Sequence, residues 1–258
     1  MFRRWRGLAA VGVLLMACGV ARAQTTLRIA AAADLQPVLP TLATAFQKKT
    51  GDRVAVSYAS SATLATQILN GAPYDLFLAA NLSFPQKVVD GGLAVEARPE
   101  PYAQGTLVLW ARKGVLRDPL TLSQLTSAKV THIAVADPGH APYGAAAMVA
   151  LRRLQLAAVL QSKLVFAENI AQTAQFAQSG NAQCALISET LAIAPVMRNA
   201  GRFALLPKGS YPPIEQGAVV IRNSAGKQAA LEFLQYLHSA AGARQLQAGG
   251  LQPVASAP

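Results

Sequence analysis

Cysteine, histidine and charge are all scarce in this chain. Its 258 residues hold two cysteines, three histidines and only 14% charged side chains, and each shortage removes a class of function. Cys18 falls in an N-terminal leader and Cys184 in the apolar run Cys184-Ala185-Leu186-Ile187. The mature chain therefore has no pair for an internal disulfide, and Cys184 reads as a buried structural thiol. His132, His140 and His238 are far apart, and no cysteine or carboxylate array is spaced to complete a metal site with them. There is no Gly-x-Ser-x-Gly elbow and no His-Glu-x-x-His, and Gly226-Lys227 runs into Gln228 where a phosphate loop requires Ser or Thr. Past the leader no segment is long and apolar enough to span a bilayer. Acidic residues are the scarcer charge, 12 against 23 basic, which suits an anionic ligand. The basic residues are scattered as Lys48-Lys49, Arg112-Lys113, Arg152-Arg153 and singles, with no aromatic interleaving, so they read as solvated helix faces and not as a nucleic-acid surface.

What is present begins with the leader. Met1-Phe2-Arg3-Arg4-Trp5-Arg6 is basic, Gly7 to Val20 is apolar, and Ala21-Arg22-Ala23 is a small-x-small cleavage pattern. Residues 1–23 thus read as a secretory signal peptide, and the mature chain is expected in the periplasm. Leu15-Met16-Ala17-Cys18 also resembles a lipoprotein box, which makes a lipid anchor at Cys18 the minor alternative.

The mature chain alternates short apolar strands with helix-periodic stretches. Leu27 to Ala30, Val54 to Tyr58 and Asp75 to Ala80 read as strands, while Gln36 to Lys49, Ala62 to Leu69 and Ala229 to Leu237 carry apolar residues at helical spacing. Similar units recur between Gly105 and Ile187. Repeated strand–helix units predict an α/β protein whose sheets are mostly parallel and flanked by helices. Two turn-rich breaks, Tyr102-Ala103-Gln104-Gly105 and Gly209-Ser210-Tyr211-Pro212-Pro213, read as paired hinge crossings. They divide the chain into a discontinuous first lobe, residues 24–102 plus 217–258, and a second lobe, 103–216. Pro253 to Pro258 reads as a loose tail.

Four strand-to-helix turns carry the functional reading. They are Ala30 to Leu35, Ser57 to Leu64, Ala134 to Gly144 and Phe166 to Gln172. A helix start offers backbone N–H groups without intrahelical partners at the positive end of the macrodipole, so several starts facing one cleft hold an anion without Lys or Arg. Tyr143 sits at the mouth of the third turn with a phenol that can donate to an oxyanion, and the N–H of Ile170 can point into the same cleft. Each turn alone is equally an ordinary capped connection. The same residues admit a secreted enzyme with Ser60 or Ser61 as nucleophile, but the general base this needs is absent from the sequence.

Taken in order, Ala31-Ala32-Ala33-Asp34-Leu35, Tyr58-Ala59-Ser60-Ser61, Asn70 to Ala80, Asp137-Pro138-Gly139-His140-Ala141-Pro142-Tyr143-Gly144 and Ala167-Glu168-Asn169-Ile170 resemble the periplasmic molybdate-binding proteins of bacterial ABC importers. The resemblance implies a two-lobed type II periplasmic-binding-protein fold closing on molybdate or tungstate. It also implies delivery to an inner-membrane ABC permease, a monomer, no cofactor, no catalysis and no nucleic-acid partner. Another tetrahedral oxyanion such as sulfate is the alternative ligand. The family's oxyanion donors map onto Asp34, Ser61, Tyr143 and the backbone of Ile170, with Ser188 at a position where some members carry a binding tyrosine. Asp34 departs from the Ser or Asn of many members. An ionised carboxylate cannot face a dianion at close range, so Asp34 is expected to bind through its main-chain N–H while its side chain caps the turn and points away from the ligand.

Overall fold

The structure, a computed structural model, describes residues 25–254. The expected signal peptide, the anchor at Cys18 and residues 255–258 lie outside the described residues. The chain forms strands β1 (Thr26–Ala32), β2 (Arg53–Ala59), β3 (Leu76–Ala79), β4 (Glu100–Gly105), β5 (Leu107–Arg112), β6 (Ile133–Ala136), β7 (Leu164–Ala167), β8 (Cys184–Ser188), β9 (Gly201–Leu205), β10 (Ile214–Val220) and β11 (Gln252–Pro253). They build two sheets, one ordered β11-β4-β10-β3-β1-β2 and the other β7-β6-β8-β5-β9.

Local sequence explains the elements that frame the first sheet. β3 is buried along its whole length, as a continuous apolar strand covered on both faces must be. Helix Leu39–Thr50 buries Leu39, Leu42, Ala43 and Phe46, one stripe at helical spacing, and stops at Gly51, whose φ of +80° is the left-handed ending that glycine permits. Helix Lys227–His238 packs beside it, with the Phe46 and Phe233 rings edge to face at 5.0 Å. The opposite face of the sheet is covered by Leu64, Ala65 and Ile68 of helix Ser61–Leu69 and by Val88 of helix Ser83–Asp90. Asp75 pins the entry to β3: its carboxylate accepts from the N–H of Arg28 at 2.6 Å and of Gly226 at 3.2 Å. The acid in the Asn-Gly-Ala-Pro-Tyr-Asp segment is thus a structural staple.

The expected α/β class with two helix-flanked sheets is present, but the sheets are mixed and not mostly parallel. β1 runs parallel to β2 and β3, whereas β10 is antiparallel to β3 and β4, and β11 to β4. In the second sheet β6 is parallel to β7 and β8, and β5 is antiparallel to β8 and β9. The reversals at β5 and β10 belong to strands that enter their sheets directly from the other half instead of through a covering helix, while β11 is a short edge pairing after the last helix. The return passage contains the turn residues Gly209 to Pro213, but the first crossing lies just beyond Tyr102 to Gly105, and the lobe limits shift with it. Positions 102 and 217 fall inside β4 and β10, both in the first sheet, so the chain changes sheets between Gly105 and Leu107 and returns between Leu205 and Ile214. Tyr211 ties the two passages together by accepting from the Leu107 N–H at 3.0 Å. The tail expectation is corrected at its start, since Pro253 pairs with Ala103.

Candidate functional site

Between the sheets lies a nearly closed pocket of about 10 Å³, lined by Ala32, Ala33, Asp34, Ser61, Tyr143 and Ile170, with Ala59, Ser60, Ala80, Ala141 and Pro142 completing its wall. All four strand-to-helix turns meet here. Among the described residues no Lys, Arg or His lines it, and Asp34 is its one carboxylic acid.

Each turn presents its donors through local chemistry. At the second turn Ser60 is the N-cap: its Oγ accepts from the Thr63 N–H at 3.2 Å. Ser61 opens the helix, and its Oγ accepts from the Ala80 N–H at 3.0 Å, which leaves the hydroxyl's own proton for donation. At the fourth turn Asn169 caps helix Ile170–Ser179 by accepting from the Gln172 N–H at 3.0 Å, so Ile170 stands at the open N-terminal end. At the third, the helix runs Pro142–Arg153, starting two residues earlier than the expected Gly144 and placing Tyr143 inside its first turn. Gly144 is required there, because a Cβ would overlap the Ala136 carbonyl.

The first turn differs from expectation. Ala33–Leu35 is one 3₁₀ turn without a side-chain cap, and the covering helix begins only at Leu39. Asp34 does not cap it. Its side chain is fully buried, and Oδ2 accepts from the Tyr143 hydroxyl at 3.2 Å and from Gln216 Nε2 at 2.5 Å. Gln216 Oε1 in turn accepts from the Tyr102 hydroxyl at 2.7 Å. Burial raises the Asp34 carboxyl from 3.8 to about 7, against the downward pull of Gln216, Tyr143 and its own backbone N–H. Burial likewise pushes the Tyr102 and Tyr143 phenols well above the usual range, reinforced by the nearby Asp34. Tyr143 therefore spends its single proton on a carboxylate.

Of the five residues named from sequence, Asp34, Ser61, Tyr143 and Ile170 line one pocket and Ser188 does not. Ser188 caps helix Glu189–Ala192, and its Oγ shares a hydrogen bond with Thr190 Oγ1 at 2.8 Å. Thr190 Oγ1 then donates to the Asp34 carbonyl at 2.7 Å. Ser188 is thus a support behind the first turn. Sequence reasoning missed Gln216, Tyr102 and Thr190. The available signal for Gln216 was a lone amide inside the apolar strand Ile214–Val220, where a buried polar group must find partners. Among the described residues no group of His, Cys, Asp and Glu could hold a metal ion, and no single helix is long and apolar enough to cross a membrane.

Comparison with known proteins agrees with this architecture. The sequence model of the family described as bacterial extracellular solute-binding protein matches residues 27–252. The chain is 34% identical over 233 residues to the molybdate-binding protein ModA of Azotobacter vinelandii, covering 90% of this chain and 91% of that protein. To ModA of Rhodobacter capsulatus it is 33% identical over 227 residues, 87% of each chain. The solved structure of the Azotobacter vinelandii periplasmic molybdate-binding protein superposes with a TM-score of 0.81 at 31% identity, covering 87% of this chain and 98% of that one. Two helix-flanked sheets with a pocket of uncharged donors between them, the family match over residues 27–252 and relatives aligned over about nine-tenths of the chain place it in the bacterial extracellular solute-binding protein family.

Proposed function

We propose that this protein captures molybdate, and tungstate with it, in the interlobe pocket and hands it to an inner-membrane ABC permease as a periplasmic binding protein, without catalysis. The observation that carries the reading is the pocket itself: four strand-to-helix turns around a space lined with hydroxyl and backbone donors and no cationic side chain. Ser61, the N–H of Ile170 and the first turn at Asp34 are the proposed contacts, with Tyr143 acting through Asp34. Molybdate-binding relatives at 33–34% identity support the ligand class. The crossings at 105–107 and 205–214 are the proposed hinge between lobes.

Selectivity follows from fixed donors. Molybdate, tungstate and sulfate are all tetrahedral dianions, so charge does not separate them and size must. A smaller sulfate leaves donors unpaired, and each buried unsatisfied donor costs about 1–3 kcal/mol. Two such losses give roughly a thirtyfold to twenty-thousandfold preference, while molybdate and tungstate, nearly equal in size, remain together. Calorimetric titration with molybdate, tungstate, sulfate and phosphate tests the proposal. Binding of the first two with weak or no binding of the others is expected, and preference for sulfate or phosphate overturns it.

A further inference from the structure

We infer that Asp34 enters the ligand complex as the neutral acid, its proton on Oδ1 donated to the bound oxyanion, so that oxyanion capture takes up one proton from solvent at neutral to alkaline pH. The inference deepens the molybdate reading and rests on it. It starts from the hydrogen-bond network. Tyr102 donates to Gln216 Oε1, which fixes the amide so that Nε2, a donor only, faces Asp34 Oδ2. The Tyr143 hydroxyl reaches the same oxygen, and Gln216 Nε2 also donates to that hydroxyl at 3.1 Å, which orients the phenol's own proton toward Oδ2. With both of these protons directed to it, Oδ2 accepts from Gln216 and from Tyr143. Oδ1 is buried and has no partner among the described residues, so it is the oxygen that can carry the proton.

No cationic group near Asp34 compensates a negative charge, and the donors Gln216, Tyr143 and its own backbone N–H offset the burial only in part. The groups packed against it are Tyr102 from β4, Tyr143 from helix Pro142–Arg153, Gln216 from β10 and Thr190 from helix Glu189–Ala192, the last bonded to its carbonyl. None of these is charged at neutral pH, and the pocket wall has no Lys, Arg or His. A dianion in the pocket would meet an ionised Asp34 with a repulsion that no cationic neighbour offsets. As the acid, the same side chain becomes a donor, and its unpaired oxygen gains a partner. The carboxyl's position at about 7 means that the proton is readily acquired near neutrality.

The test is calorimetric titration of the mature protein with molybdate between about pH 6.5 and 9, in pairs of buffers with different ionisation enthalpies. For the parent protein, proton uptake approaching one per ligand is expected above the carboxyl's pKa, with affinity falling about tenfold per pH unit. Asp34→Asn keeps a neutral side chain with an acceptor and a donor. It should show no uptake, a flat pH profile and tighter binding than the parent at the alkaline end. Parent binding that is independent of pH and buffer overturns the inference and leaves the molybdate reading intact. An equal slope in Asp34→Asn also overturns it, since another group then titrates. Absence of molybdate binding at every pH overturns both. If Asp34→Asn fails to fold, the buffer dependence of the parent protein alone decides.

Discussion

The backbone N–H of Ala62, in the first turn of helix Ser61–Leu69, donates to the carbonyl of His140 at 3.2 Å. One half of the molecule thereby grips the other at the rim of the pocket. The bond also consumes a donor that the sequence offered to the ligand. The Thr63 N–H is taken by Ser60 Oγ, which leaves the Ser61 N–H and hydroxyl as the contribution of this helix end. The site is narrower in its donor set than four open helix starts imply.

Ligand binding should be visible as stabilisation. A ligand that binds only the folded state stabilises it by mass action, so molybdate and tungstate are expected to raise Tm while sulfate at equal concentration changes it little. Thermal scans with the three salts check this, and equal shifts with sulfate refute the assignment.

Asp34 should leave a pH signature on stability. Its carboxyl titrates near 3.8 when exposed and at about 7 in the fold. Between these values the folded chain holds a proton that the unfolded chain has released, so stability is full below the lower value and is lost as pH rises through the upper one. The difference corresponds to about 4 kcal/mol. Ligand-free Asp34→Asn is therefore expected to exceed the parent by up to about 4 kcal/mol at pH 8 and to match it near pH 4, as measured by urea denaturation.

Tyr143→Phe removes one of the two side-chain donors on Asp34 Oδ2. Affinity for molybdate should drop by about 1–3 kcal/mol. Because the phenol holds the carboxyl's pKa down, its loss should also move the alkaline decline of binding to higher pH. A lower affinity with an unmoved pH profile would show that the hydroxyl acts on the ligand directly.

Gly105→Ala addresses the same phenol from the other side. A Cβ at this position overlaps the Tyr143 hydroxyl and comes within 3.2 Å of Gln216 Nε2. Overpacking of a tight site costs about 1–3 kcal/mol, so titration should show roughly tenfold weaker molybdate binding or worse. Unchanged affinity would mean that Tyr143 can swing aside freely.

The sequence made the helix-flanked sheets and most of the pocket wall readable because both depend on local signals. Leu39, Leu42 and Phe46 repeat at helical spacing, Asn169 and Ser60 are recognisable caps, and Tyr143 and Ile170 follow strand ends. What escaped is non-local. Gln216 lies 182 positions from Asp34 in the chain, and Thr190 lies 156 positions away. No periodicity encodes such pairings. The capping expectation for Asp34 failed for the same reason: from neighbours alone it is a good cap, and only the distant amide and phenol show where its carboxylate goes. The boundaries slipped because Tyr102 to Gly105 has turn-like composition yet is held as a strand by β10 and β11.

β10 lies in the middle of the first sheet, between β3 and β4, while every strand of the second sheet comes from the uninterrupted stretch 107–205. The two halves therefore cannot mature together as the chain emerges. The later half in sequence can complete its sheet first, while the earlier half waits with the edges of β3 and β4 bare until residue 220 arrives. Bare edges of that kind pair readily with other chains, so this interval is the one most exposed to misassembly. Gln216 is in the segment that ends it, and the pocket acquires its last polar partner as the sheet closes.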